Sequence, residues 1–139
     1  FCTGKIYYDL LEKKEQFEAK DIALVRVEQL YPWPEKQIQK IINKYPNTKR
    51  WIWAQEEPEN MGAWRFVKEK LTSVDLKPLA RLASGSPAVG LNKLHVSGQE
   101  EIIGKIFRKC TCELNNKYCG LQCEEGSKRE DIKQQHTYL

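Results

Sequence analysis

Trp51-Ile52-Trp53-Ala54-Gln55-Glu56-Glu57-Pro58-Glu59-Asn60-Met61-Gly62-Ala63-Trp64 decides the fold. Its first four residues are an apolar run rich in aromatic and β-branched side chains, which favours a buried strand. From Gly62 onward a different period takes over: Trp64, Val67 and Leu71 share one face of a helix. The polar stretch Gln55-Glu56-Glu57 through Met61 joins the end of that strand to the start of that helix.

The same alternation repeats on both sides. Upstream, residues 1–5 read as the end of a strand and a Gly4 turn. Ile6, Tyr7, Leu10, Leu11 and Phe17 then recur at helical spacing. Ile22-Ala23-Leu24-Val25-Arg26-Val27 suits a strand buried on both faces of a parallel sheet. Pro32 and Pro34 break the chain before a helix carrying Ile38, Ile41 and Ile42, which ends near Tyr45-Pro46-Asn47. Downstream, Leu76 to Leu82 supplies a further strand, with Pro78 pointing to an edge or a strand start. Ser84-Gly85-Ser86-Pro87-Ala88-Val89-Gly90 is a loop, and a last helix runs from about Val96 through Ile102, Ile103 and Ile106. Strands alternating with helices imply an α/β sheet with helices on its faces, joined by right-handed crossovers.

From about Arg108 the periodicity stops, so residues 1–107 are expected to form one domain and residues 108–139 a loose, cysteine-containing polar tail. A chain of 139 residues holds one ordinary core, and no internal repeat is visible. No apolar run approaches the roughly 20 residues of a membrane span, which excludes that class. The net charge of +4 is mild, and basic residues alternate with acidic ones over most of the chain, so no nucleic-acid partner is expected. The start at Phe1-Cys2-Thr3-Gly4-Lys5 has no initiator Met and no secretion signal, and reads as a chain cut inside an element.

Three constellations carry chemistry. Glu56 and Glu57, beside Gln55 beyond a strand's carboxyl end, suit an acid/base pair or metal ligands. A capped connection with solvated acids is the reading that composition favours, since neighbouring carboxylates point different ways and no His lies nearby. Arg81 precedes the hydroxyl-rich turn of Ser84 and Ser86, an arrangement that can hold a phosphate or carboxylate, or merely turn the chain. Cys110, Cys112, Cys119 and Cys123 offer four thiolates to a structural zinc, with His136 as a substitute, against free thiols in a loose tail. The body, holding only Cys2, has no disulfide framework, as in a reducing compartment. His95 is read as a capping or packing residue ahead of the last helix. No catalytic set is complete, and the Gly-Asp-Gly followed by Asn-Asn of thiamine-diphosphate sites is missing. On these residues alone the chain reads as an interaction or regulatory domain, with a stand-alone anion- or metal-binding module as the alternative.

Four ordered stretches carry a family resemblance: Cys2-Thr3-Gly4-Lys5-Ile6-Tyr7-Tyr8-Asp9-Leu10, Val25-Arg26-Val27-Glu28-Gln29-Leu30-Tyr31-Pro32, Gln55-Glu56-Glu57-Pro58 through Gly62-Ala63-Trp64, and Arg81 through Gly90. Over residues 1–107 the chain resembles the C-terminal region of 2-oxoglutarate dehydrogenase decarboxylating subunits. The resemblance implies a three-layer transketolase C-terminal-type fold, a mostly parallel five-stranded sheet between helices. It places thiamine diphosphate and magnesium in preceding domains and no cofactor in this one. It implies a homodimer and a dihydrolipoyl succinyltransferase partner that receives the succinyl group in the tricarboxylic acid cycle, in bacterial cytoplasm or mitochondrial matrix. The domain is then non-catalytic, and Arg81 matches an effector-site arginine for AMP or acetyl-coenzyme A, with Ser84 and Ser86 beside it. Met61 departs from the family's Gln, removing one polar group from the turn's edge. The tail has no family counterpart. It is read as a lineage-specific extension or as translation past a damaged coding region, the latter fitting the missing upstream half of the first strand.

Overall fold

Glycine at position 4 sets the first reversal. Its φ of +71° carries the chain from the extended residues 1–2 directly into a helix, a conformation that costs a residue without Cβ little. In the computed structural model, which describes residues 1–87 and 90–107, that helix is α1 (Ile6–Gln16), with Ile6 and Leu10 buried one turn apart. Glu18, at φ +47°, ends it in the left-handed region, and the Ala19 N–H returns to Lys14 O at 3.0 Å.

The remaining elements are α2 (Glu35–Lys44), β1 (Trp51–Pro58), α3 (Trp64–Lys70), β2 (Leu76–Arg81) and α4 (Asn92–Phe107). β1 and β2 pair in parallel, Trp51 opposite Leu76 through Ala54 opposite Leu79. Residues 1–2 lie along the other side of β1, bridging Cys2 to Ala54, and Cys2 also bridges to Arg26. The Cys2 N–H donates to Val25 O at 3.0 Å, Val27 N–H to Cys2 O at 2.8 Å, and Ala54 N–H to Phe1 O at 2.8 Å. The parallel layer therefore runs from residues 25–27 to residues 1–2, then β1, then β2. The expected strands at 1–5 and 22–27 are thus present as bridged segments, each without a regular ladder. Among the described residues the regular sheet has two strands.

Period-two alternation sends β1 side chains to two cores. Ile52 and Ala54 pack with Cys2, Ile6, Leu10, Leu79, Ile102, Ile103 and Phe107, under α1 and α4. Trp51 and Trp53 pack with Val27, Ile38, Trp64, Val67 and Leu71, under α2 and α3. Helices thus cover both faces, and the architecture is α/β in three layers. Trp53 and Phe107 have no exposed surface, and full burial of one such side chain contributes roughly 1.5–3 kcal/mol.

Two boundaries differ from the sequence reading. β1 continues through Gln55, Glu56 and Glu57, which were expected in a loop past the strand end. The chain covers Ala54 to Pro58 on β1 while β2 advances only from Leu79 to Arg81, so a bulge absorbs the extra residues. Gln55 is buried like a core residue, and its side-chain amide donates to the Glu57 and Pro58 carbonyls at the bulge. α4 begins at Asn92, ahead of the expected Val96, so His95 sits inside its first turn. Ala88, Val89 and the cysteines Cys110, Cys112, Cys119 and Cys123, with His136, lie outside the described residues.

Candidate anion-binding site

Parallel pairing puts the carboxyl ends of all these segments on one edge, and the polar residues of the four sequence stretches gather there. Gln55 organises the centre. Its Oε1 accepts Trp53 Nε1–H and the Trp64 backbone N–H, each at 3.0 Å. Its Nε2 donates to Met61 O at 2.8 Å, Pro58 O at 3.0 Å and, less closely, Glu57 O at 3.3 Å. One buried amide thereby shapes the connection and caps the first N–H of α3.

Glu56 and Glu57 do not form a pair. Glu56 accepts Gln99 Nε2–H at 2.7 Å, and the same amide donates to Asp9 at 2.9 Å, tying β1 to α1 and α4. Glu57 turns toward Gly62, whose Cβ, were there one, would stand 3.1 Å from its Oε2. The two acids thus meet different neighbours, Gln99 for Glu56 and Gly62 for Glu57. Among the described residues no three metal-ligating side chains converge. No thiamine-diphosphate or magnesium site is assigned to them.

The first two sequence stretches meet through Arg26. Its Nε donates to Glu28 at 2.6 Å and its Nη1 to Tyr8 Oη at 2.7 Å, with the guanidinium 4.8 Å from the Tyr8 ring centre. Glu28 also accepts the Gly4 N–H at 3.1 Å. The Arg26 hydrogen bond, then that of Gly4, holds the Glu28 carboxyl below its ordinary range.

Arg81, Ser84 and Ser86, which the sequence singled out together, do line one cleft of about 450 Å³ between the end of β2 and α4. Asn60 fixes its loop: Nδ2 donates to Ser84 O at 2.9 Å, and Ser84 N–H donates to Asn60 Oδ1 at 3.0 Å. Ser84 Oγ accepts the Ser86 N–H at 3.1 Å. Across the cleft, Gly98 leaves room for Arg81, because a Cβ there would stand 3.2 Å from its Nε. The Arg81 Nη2 lies 3.2 Å from His95 Nδ1. Arginine only donates, so this contact is a hydrogen bond in the tautomer whose Nδ1 is the acceptor. The Arg81 Nε is buried with no hydrogen-bond partner among the described residues. Lys105 adds a second cation, paired with Glu101 at 2.6 Å. The cleft is thus lined by Arg81, Ser84, Ser86 and Lys105, with the Glu101 carboxylate among them, and the unused Arg81 donor lies buried against Gly98; guanidinium donors are suited to a carboxylate or phosphate.

Sequence reasoning missed Asn60, His95, Gly98, Glu101 and Lys105 as neighbours of Arg81. Only Gly98 carried a local signal: an isolated glycine within a helical pattern marks a close approach. The others are joined to the site by chain reversals that spacing does not encode.

These features define a parallel α/β domain with helices on both faces and a cleft lined by Arg81, Ser84 and Ser86 at the carboxyl edge of its sheet. The chain belongs to the 2-oxoglutarate dehydrogenase C-terminal family, whose model matches residues 1–107. It is similar to the 2-oxoglutarate dehydrogenase E1 component of Haemophilus influenzae, 43% identical over 107 residues, covering 73% of this chain and 11% of that protein. The 2-oxoadipate dehydrogenase complex component E1 of Danio rerio is 47% identical over 112 residues, 77% of this chain and 12% of that one. The E1 component of 2-oxoglutarate dehydrogenase from Coxiella burnetii is 41% identical over 111 residues, 75% and 12% respectively. The chain therefore spans 11–12% of the length of these relatives. No helix among the described residues is long and apolar enough to cross a membrane.

Proposed function

We propose that this chain provides the C-terminal, non-catalytic domain of an E1 component, and that its Arg81 cleft binds an anionic effector, AMP or acetyl-coenzyme A. The observation that carries the second half is the buried, unpartnered Nε of Arg81 in a cleft lined also by Ser84, Ser86 and Lys105. A phosphate or carboxylate oxygen would satisfy that donor once the guanidinium turns out from beside Gly98 into the cleft. The first half rests on the family match and on the missing thiamine-diphosphate signature.

In this reading the complete fold is the transketolase C-terminal type with five strands, and the domain belongs to residues 1–107. Thiamine diphosphate and magnesium are held by the preceding domains, which decarboxylate the 2-oxo acid and pass the acyl group to a dihydrolipoyl acyltransferase. The substrate is 2-oxoglutarate, the acyltransferase is the succinyltransferase of the tricarboxylic acid cycle, and the enzyme is a homodimer in bacterial cytoplasm or mitochondrial matrix. Similarity to 2-oxoadipate as well as 2-oxoglutarate components fits a domain that does not select the oxo acid.

Calorimetric titration of the full chain with AMP and with acetyl-coenzyme A tests the cleft. Arg81→Ala should weaken binding at least tenfold; equal affinity in both proteins would remove Arg81 from the effector site. Turnover of 2-oxoglutarate by the isolated chain, supplied with thiamine diphosphate and magnesium, would overturn the non-catalytic assignment.

A further inference from the structure

The two helical layers differ in charge. α1 and α4 carry four cations, Lys13, Lys14, Lys93 and Lys105, against five carboxylates. The opposite layer is one-sided: α2 has Lys36, Lys40 and Lys44 against Glu35, and α3 has Arg65, Lys68 and Lys70 against Glu69. Lys49 and Arg50 follow α2 directly. All eight cations are exposed, and among the described residues none of them forms an ion pair.

Geometry joins them into one surface. Lys36, Lys40 and Lys44 are spaced one turn apart, about 6 Å per step, on the side of α2 opposite the buried Ile38. Trp33, just ahead of α2, meets Phe66 of α3 edge-on, with ring centres 6.0 Å apart. Ile38 and Val67 share one core cluster. Steps of this size fall within the roughly 8 Å screening length of physiological salt, so the potentials add. Like charges at i, i+4 spacing destabilise a helix, and among the described residues no ion pair offsets that cost. α3 leads from the carboxyl end of β1 back to the start of the parallel β2, and α2 likewise returns the chain to β1. Lys44, Lys49, Arg50 and Lys70 therefore lie toward the amino edge of the sheet, away from the Arg81 cleft.

We infer that the α2–α3 face is a docking surface for an acidic protein domain. Six of the eight cations are lysines, mobile point charges suited to rapid, salt-sensitive encounter with carboxylates. The exposed large apolar residues are Tyr8, Tyr31, Leu82, Leu91 and Val96, none on α2 or α3. The rings beside these cations, Tyr45, Trp64 and Phe66, are each met by a lysine of the face, Lys44, Lys68 and Lys70, at 5.6–5.8 Å, so among the described residues of α2 and α3 no mostly exposed ring is presented to stacking bases and no apolar wedge to a bilayer. The surface is independent of the Arg81 cleft and of any effector bound there.

Poly-L-glutamate serves as the probe, with binding to the full chain followed by fluorescence anisotropy at low and physiological salt. Replacing Lys36, Lys40 and Lys44 by Gln together should weaken binding at least tenfold, as should Arg65→Gln with Lys68→Gln on α3. Removing the same number of charges from the other layer, as Lys13→Gln, Lys14→Gln and Lys93→Gln, should change it less than threefold. Circular dichroism confirms that each variant is folded. Equal losses in the two layers, or no loss from the α2 variant, would overturn the assignment. So would tighter binding of polyuridylate or phosphatidylserine vesicles than of poly-L-glutamate at the same salt.

Discussion

Gln55 and Gly62 occupy adjoining space: a Cβ at position 62 would stand 3.0 Å from Nε2 and 3.1 Å from Oε1 of the Gln55 amide. Gly62 also holds φ at +64°, where a side chain is strained. Gly62→Ala must therefore distort either the turn or the amide that organises it. We expect a loss of about 1–3 kcal/mol, read as a lowered urea midpoint with an unchanged slope.

Replacing Gln55 itself should cost more. Leucine fills the volume but orphans Trp53 Nε1, the Trp64 N–H and the carbonyls of Pro58 and Met61. Each buried orphan costs roughly 1–3 kcal/mol, so Gln55→Leu should lose at least 3 kcal/mol. Gln55→Glu should also destabilise, because a carboxylate placed against those carbonyls has nothing to donate. Wild-type stability in Gln55→Leu would refute the amide's organising role.

The Asn60–Ser84 clamp predicts a graded series. Asn60→Ala removes both bonds to Ser84, whereas Asn60→Asp keeps the acceptor for Ser84 N–H and loses the donor to Ser84 O. Hydrogen exchange at the Ser84 amide should accelerate most in the alanine variant and less in the aspartate one. Each exposed bond contributes about 0.5–1.5 kcal/mol, so global stability should move little.

Gly98→Ala separates stability from binding. Alanine favours the helix by up to about 1 kcal/mol, but its Cβ would press on Arg81 Nε from 3.2 Å. The thermal midpoint should stay within a few degrees of wild type while affinity for AMP falls several-fold. Unchanged affinity would show that the guanidinium position does not control the cleft.

Burial, foremost, pushes the Cys2 thiol above its ordinary range. The folded state favours the protonated thiol, so this contribution is fully present below the unfolded value of about 8.5. It is lost as pH rises through the higher folded value. Urea midpoints should fall between pH 8 and 10 more steeply in wild type than in Cys2→Ala, which lacks the thiol. Cys2 is only 1% exposed and should resist alkylation until the protein unfolds.

Much of the fold was legible because local patterns specify local elements. Ile38, Ile41 and Ile42 marked α2, and Trp64, Val67 and Leu71 marked α3, since each set shares one helical face. The strand at 22–27 was read from its β-branched run, yet it forms only a bridge to Cys2. Composition reports suitability for a sheet, whereas ladder length depends on the neighbouring segment. The bulge in β1 was illegible for a related reason. Gln55, Glu56 and Glu57 look like loop residues until Trp53, Pro58, Met61 and Trp64 are seen to close around the Gln55 amide.

For the candidate site, the sequence by itself determined that Arg81, Ser84 and Ser86 lie on one turn after a strand, because they are neighbours in the chain. Only the tertiary structure decided what faces them. Parallel pairing brought Asn60 to Ser84, and the return of α4 brought His95, Gly98 and Lys105 to Arg81. Those contacts span separations of 24 residues for Asn60 and Ser84 and 14 for Arg81 and His95. Hydrophobic periodicity fixes which face of each element is buried, but contacts at that separation follow from how the buried faces pack together.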